Sequence, residues 1–198
     1  MRSTACFAPV LAALFLAAAI PAHSQVAPAA KSSTSRLSAG GGISYFLLDY
    51  GLSRKMIGIT AWGDYRLPHM PYYLDGLSIE AEGRDINFDH PSSLPRMRQD
   101  TLLGGPLYTW SRYRRFHPYA KYLLGIGSID FPPAGNYDHD TRVVLAPGVG
   151  VDYRLNPYLI ARVDYEYQFW HAIFGPHDLN PQGVTFGVLY TFGRRGRY

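Results

Sequence analysis

The feature that most constrains this chain is a two-residue alternation of apolar and polar side chains, which recurs in segments of about ten residues. Residues 158–170 (YLIARVDYEYQFW) show it most clearly. One face carries Leu159, Ala161, Val163, Tyr165, Tyr167 and Phe169, and the other carries Arg162, Asp164, Glu166 and Gln168. Since successive side chains of a strand point to opposite faces, the pattern predicts strands with one apolar and one polar face.

The alternation predicts eight strands, separated by turn residues such as Gly, Pro and Asn. They cover residues 38–49, 55–67, 77–88, 101–113, 119–129, 141–155, 158–170 and 183–192. Long connections at 89–100, 130–140 and 171–181 alternate with short ones at 114–118 and 156–157, although 50–53 is short and 68–76 is long. An even strand count with this asymmetry predicts an all-β fold, an eight-stranded antiparallel up-and-down transmembrane β-barrel with both ends in the periplasm.

The size of the apolar face decides which way it points. The chain has 16 Tyr, 10 Phe and 3 Trp, and eight strands enclose only a narrow interior that side chains fill. So many bulky rings do not fit inside, but they suit a wall that faces lipid, with aromatic girdles at both interfaces. A soluble, exported, lipocalin-like binding barrel with the apolar face inward is the alternative.

The two ends of the chain differ in composition from the barrel segment at 37–192. Arg2, an apolar run up to Ile20 and the small residues around His23 predict a signal peptide over residues 1–24. Residues 25–36 form a polar leader, and 193–198 form a basic tail. The single cysteine, Cys6, lies within the signal peptide, so the exported chain is expected to contain no disulfide.

Several classes of function are not supported by the sequence. The formal charge of +4 is small, much of the positive charge lies in the tail at Arg194, Arg195 and Arg197, and the export signal argues against nucleic-acid binding. The histidines near 139, 171 and 177 lie in predicted loops without metal-ligand spacing, so no metal or cofactor is expected. No G-x-S-x-G motif occurs, and the nearest Ser/His candidates, Ser92 or Ser93 with His90, lie in a Pro-rich loop. We therefore expect no enzyme activity.

Residues 37–192 resemble the small eight-stranded outer-membrane barrels of the OmpA-like or OmpX-like type. The segments that carry the resemblance are SAGGGISYFLLDYG, GLSIEAEGR, HPYAKYLLGIG, GVGVDYRLNPYLIARVDYEYQFW and the closing GVTFGVLYTF. The resemblance implies a place in the outer membrane of a Gram-negative bacterium, among outer-membrane lipid and lipopolysaccharide. It also implies that the barrel-assembly machinery reads Phe192 as the terminal aromatic, with Tyr198 as the other candidate because six residues follow Phe192.

Charged residues on the predicted inward faces are expected to share one lumen. They are Glu80, Glu82, Arg84, Lys121, Asp152, Arg162, Asp164 and Glu166. Isolated buried charges are very costly, so these groups must pair. The hypothesis is a salt-bridge plug that blocks conduction, with a narrow or gated pore as the alternative. The predicted role is structural: a non-enzymatic barrel that displays its long loops to other cells, host surfaces or lipopolysaccharide, with an extracellular ligand that the sequence does not identify.

Overall fold

The computed structural model describes residues 37–48, 54–68, 70–89, 98–110, 115–131, 138–173 and 177–192. The predicted signal peptide, the leader, Cys6 and the basic tail lie outside the described residues, as do residues 90–97 and 132–137. None of the described helical segments is long and apolar enough to cross a membrane.

Ten strands and one short 3-10 helix, η1, make up the described fold. The strands are β1 (Leu37–Leu48), β2 (Arg54–Arg66), β3 (Leu77–Asp89), β4 (Arg98–Thr109), β5 (Phe116–Phe131), β6 (Asp138–Arg154), β7 (Leu159–Tyr167), β8 (Phe169–Ile173), β9 (His177–Leu179) and β10 (Gln182–Phe192), and η1 is Tyr72–Leu74. The helix lies within residues 68–76, a long connection that was predicted from the prolines in this segment.

The strands close into an antiparallel barrel, as predicted. Each strand from β1 to β6 pairs with the next, β7 pairs with β10, and β10 pairs with β1 along its length, from Leu37↔Phe192 to Leu47↔Gln182. Eight strands therefore form the closed ring. We call the end with Leu37 and Phe192 the terminal end and the opposite end the loop end.

The predicted seventh strand, 158–170, is divided in two. It breaks at Gln168, whose backbone N–H donates a hydrogen bond to the Pro181 carbonyl at 2.7 Å. β8 continues alongside β6 through Val144↔Trp170 and Leu145↔Phe169, and β9 pairs with β8. β8 and β9 are thus extensions of the barrel wall at the loop end.

Several predicted strand ends are wrong, chiefly at the loop end. β4 begins at Arg98 and ends at Thr109, whereas 101–113 was predicted. β5 and β6 reach Phe131 and Asp138, so strand replaces both ends of the predicted loop 130–140. The ladder continues because polar residues pair across it, with Ser128 opposite Thr141 and Asp130 opposite His139. β8 and β9 likewise replace part of the predicted loop 171–181.

The apolar face points outward, as the membrane interpretation requires. Ile59, Leu124, Val143 and Phe186 are each more than half exposed, while their neighbours along each strand point into the barrel. A wall of exposed large apolar side chains on this scale is not compatible with water. The lipocalin-like alternative, which needs the apolar face inside, does not fit this arrangement.

The interior has two layers, of which the sequence predicted only one. Charged and hydroxyl side chains, together with Trp62, Leu107, Tyr119 and Leu189, fill the middle and the terminal end. Towards the loop end a separate apolar cluster fills the lumen, formed by Phe46, Leu48, Met56, Ile86, Leu103, Leu123, Ile129, Val144, Ala146, Trp170 and Leu179. Gly127 makes room for it, because a Cβ there would lie 2.2 Å from Trp170 Cη2. The inward face is therefore not uniformly polar.

Candidate functional site

The eight charged residues predicted to line the lumen lie together in the barrel interior. β3 contributes three of them, β5 and β6 one each, and β7 three. They are Glu80, Glu82, Arg84, Lys121, Asp152, Arg162, Asp164 and Glu166, and none is more than 8% exposed. The strict alternation of each strand places them on the same side of the wall.

Arg162 ties three carboxylates together at the terminal side of the network. Its Nε and Nη2 contact Asp152 at 2.8 and 3.0 Å in a bidentate pair across the β6–β7 ladder. Nη1 reaches Glu80 on the far wall at 2.6 Å, and Nη2 also donates to Asp64 at 2.8 Å. The guanidinium lies 4.7 Å from the centre of the Tyr119 ring. One side chain thus joins β2, β3, β6 and β7.

Lys121 lies at the centre of four carboxylates. Its Nζ is 2.6 Å from Glu82, 3.0 Å from Asp164, and 3.1 Å from both Glu80 and Glu166. Oxygens of Glu82, Asp164 and Glu166 lie within 4.8 Å of one another, an arrangement that carboxylate metal sites also use. Because the ammonium contacts all three, the protein supplies its own cation at this position.

Arg84 extends the network towards the loop end. It pairs with Glu82 on its own strand and with Glu166 across the lumen, at 2.7 Å for the latter, and its Nε donates to Thr60 at 3.0 Å. Its guanidinium also lies 4.3 Å from the centre of the Phe46 ring. Arg84 is therefore where the charged layer meets the apolar layer.

Four further members of the network were not predicted. Asp64 contacts Arg162, Tyr119 donates to Asp164, Trp62 Nε1 donates to Glu82 at 3.2 Å, and Gln168 Nε2 donates to Glu166 at 2.8 Å. The spacing 60, 62, 64 in β2 was the available signal for Asp64 and Trp62. Tyr119 was missed because its ring is aromatic, and aromatic rings were assigned to the lipid-facing wall.

The described part of the network contains more acids than bases. Asp64, Glu80, Glu82, Asp152, Asp164 and Glu166 share three cations, Arg84, Lys121 and Arg162. Tyr119 donates to an Asp164 oxygen, while Trp62 and Gln168 donate to oxygens of Glu82 and Glu166 that also contact a cation. Such an arrangement is stable only while each partner stays in place, since a buried charge without a partner costs several kcal/mol.

The histidines do not lie in loops as predicted. His139 is in β6 and His171 in β8, and the imidazole of each contacts a carboxylate, Asp130 and Asp178 respectively. Ser92, Ser93 and His90, the predicted Ser/His candidates, lie outside the described residues, but another serine and histidine lie close together among the residues that the structure describes. On the outer face of β5 and β6, Ser128 Oγ lies 3.4 Å from both ring nitrogens of His139.

This hydroxyl–imidazole group has only part of a catalytic arrangement. Because Ser128 Oγ is equidistant from the two nitrogens, it is not in line with the lone pair of either one. Thr141 Oγ1 is closer to Nε2, at 3.1 Å, and Asp130 contacts Nδ1. Acyl transfer further requires donors that converge on a developing oxyanion, and Asp130 places a carboxylate beside the cluster instead.

Phe192 ends β10 opposite Leu37 and is half exposed on the outer face. Its ring packs edge-on against Tyr190, with 5.1 Å between ring centroids. The structure thus places it in the aromatic belt of the terminal end. Its role in barrel assembly stays a prediction.

Comparison with known proteins gives a family and a fold. The family model for the outer membrane protein beta-barrel domain matches residues 10–192. The crystal structure of Neisserial surface protein A superposes with a TM-score of 0.66 at 14% identity, covering 79% of this chain and 97% of that one. Ail, the attachment invasion locus protein of Yersinia pestis, gives 0.58 at 14% identity, with 80% and 99% covered. No curated protein matches in sequence.

The network makes stability depend strongly on Arg162. We expect Arg162→Ala to destabilise the barrel by about 3–5 kcal/mol, because it removes the cation that contacts Asp64 and Asp152 and leaves buried Glu80 with Lys121 alone. Arg98→Ala is the control. Arg98 also contacts two carboxylates, but its side chain is 53% exposed, so the loss should be about 0–1 kcal/mol.

Urea unfolding of the barrel in lipid vesicles, followed by gel mobility of unboiled samples, measures both variants. Equal, small losses for Arg162→Ala and Arg98→Ala would show that the network does not stabilise the barrel.

Proposed function

The chain belongs to the outer membrane protein beta-barrel domain family, and we propose that it is a sealed, non-enzymatic barrel that presents its loop end at the cell surface. It is an outer-membrane protein of a Gram-negative bacterium. The observation that carries the proposal is the filled lumen. A barrel that transports solutes needs an open path, and here two layers of side chains occupy it.

The two layers exclude ions for different reasons. In the charged layer, Lys121 and Arg162 hold carboxylates from opposite walls, so an ion must separate paired charges in order to pass. In the apolar layer, buried side chains such as Phe46 and Trp170 fill the lumen, and the buried amides of Gln99 and Gln168 hydrogen-bond to each other, so a permeating ion would lose its hydration there. Either layer alone supports closure.

Ion conductance separates a sealed barrel from a narrow or gated pore. In planar bilayers we expect no steady current through the wild-type protein, nor through Arg162→Ala or Glu82→Ala, because the apolar layer remains. Trp170→Ala alone should also stay closed, whereas Arg162→Ala combined with Trp170→Ala should conduct. A steady wild-type current would contradict the sealed barrel and favour the pore.

If no solute passes through the barrel, its function depends on the contacts that its surfaces make. At the loop end β5 and β6 run on to Phe131 and Asp138 and β8 and β9 add a further hairpin, whereas the terminal end has the short turn 155–158 and the longer link 67–76. The hairpins at the loop end support an exposed loop end and a periplasmic terminal end. The names of similar folds agree with a surface role: one is a surface protein, and Ail has been crystallised with the heparin analogue sucrose octasulfate.

Antibody labelling tests this orientation. An epitope inserted between Ser92 and Ser93 should be stained on intact cells. The same epitope inserted after Asn156, in the terminal-end turn, should be stained only after the outer membrane is permeabilised. The reverse pattern would show that the loop end faces the periplasm and would overturn the proposed display of loops.

The non-enzymatic part of the proposal depends on the cluster around His139. We expect no hydrolysis of long-chain p-nitrophenyl esters in detergent micelles beyond that of a Ser128→Ala/Thr141→Val variant, because the hydroxyls lack convergent oxyanion donors. Hydrolysis by the wild type that disappears in the double variant would identify an esterase and contradict the proposal.

The remaining proposed partners act during export, during assembly and in the membrane. Residues 1–24 would direct export as a cleaved signal peptide, and the barrel-assembly machinery would then read the final strand through Phe192. In the membrane, the outward apolar face supports contact with lipid, and the loop end supports contact with lipopolysaccharide. No cofactor, metal or nucleic acid enters this proposal.

A further inference from the structure

The barrel wall has a notch at the loop end, between β6 and β8. These strands pair only at Val144↔Trp170 and Leu145↔Phe169. Beyond that point β6 stays paired on its other edge with β5 as far as Phe131↔Asp138, and β8 stays paired on its other edge with β9. The described parts of β6 and β8 share no further backbone pair, and the wall opens between them.

A cavity of about 430 Å³ lies in this notch. It is lined by Leu124, Arg142, Val143, Leu145, Phe169 and His171. Leu124, Val143 and Leu145 alternate with buried neighbours, so they belong to the outer face of the wall. The volume is within the range of ligand pockets, about 300–1,000 Å³. An apolar floor that faces outward fits a hydrocarbon chain.

The notch is at the level where the wall changes from apolar to polar. Along β5 and β6 the outward pairs are Leu124↔Leu145 and Ile126↔Val143, followed by Ser128↔Thr141 and Asp130↔His139. Hydrocarbon therefore surrounds the floor of the notch, and polar headgroups surround its mouth. An occupant must be amphiphilic, with its apolar part towards the membrane centre.

Hydrogen-bond donors from two strands flank the mouth. Arg142 contacts Asp140 through Nε at 3.0 Å, which uses one of the five N–H donors of a guanidinium. His171 contacts Asp178 through Nδ1 at 3.3 Å. Its Nε2 is the other ring nitrogen that can donate a hydrogen bond. Guanidinium donors match phosphate oxygens particularly well.

We propose that this notch binds lipopolysaccharide, with one acyl chain on the floor between β6 and β8 and a glycolipid phosphate at Arg142 and His171. The inference rests on the proposed function, because it requires the loop end to lie in the outer leaflet. It deepens that function by assigning the lipid contact to one site on the wall.

Binding of purified lipopolysaccharide to the full-length barrel in micelles tests the site. We expect Arg142→Ala/His171→Ala to weaken binding at least about tenfold, since hydrogen bonds to charged groups are lost. Leu145→Trp, which fills the floor and keeps both donors, should weaken it comparably. Lys55→Ala and Arg98→Ala remove exposed cations at the loop end outside the notch and should bind like the wild type.

Three results would overturn the proposal. Equal losses in the notch and control variants would indicate diffuse electrostatics. Unchanged binding by Leu145→Trp would exclude the acyl chain from the notch, and competition by phosphatidylglycerol at equal concentration would identify a general phospholipid site. The mobility shift of unboiled samples is measured for each variant, so a failure of the barrel itself is distinguished from a failure of the notch.

Discussion

The Glu80 carboxylate is the contact on which the interior depends most. One oxygen accepts from Lys121 of β5 and the other from Arg162 of β7, at 3.1 and 2.6 Å. β3, β5 and β7 are not neighbours in the barrel, so this carboxylate ties three separate parts of the wall across the lumen. Backbone hydrogen bonds in a barrel wall join only neighbouring strands. Side-chain contacts across the lumen also hold strands that are not neighbours at fixed distances from one another.

The cross-lumen ties also constrain register. A shift of one residue in β7 would turn Arg162, Asp164 and Glu166 towards lipid and bring Val163 and Tyr165 inside. Charged side chains in hydrocarbon and bulky residues in a narrow lumen would both be unfavourable. The same alternation that predicts the strands therefore also selects their pairing, and the network makes that selection specific to these residues.

The sequence predicted the barrel fold and also which charged residues face the lumen, because both follow from the two-residue alternation. It did not predict the inward-facing residues that are apolar or aromatic. The apolar layer around Trp170 lies on inward positions, where a polar pattern was expected, and Tyr119 is an aromatic inside the lumen. Long-range pairings such as Arg162 with Glu80 require the closed barrel, which brings together residues 82 positions apart.

Strand ends were mispredicted for one physical reason. The predictions placed ends where side chains became polar, at Ile129 and Thr141, but polarity marks the edge of the lipid and not the end of the ladder. Backbone pairing is independent of side-chain polarity, so β5 and β6 run on into the aqueous layer.

The notch follows from that difference. Within the lipid every backbone group needs a partner, so the wall stays closed up to Val144. Beyond Val144, β6 and β8 keep the partners on their other edges, β5 and β9, and no longer pair with each other. Towards the polar zone, water and headgroups satisfy the backbone groups of the two facing edges, so the cavity has an apolar floor and a polar mouth. The membrane boundary therefore sets both the shape of the notch and the amphiphilic character of what fits it.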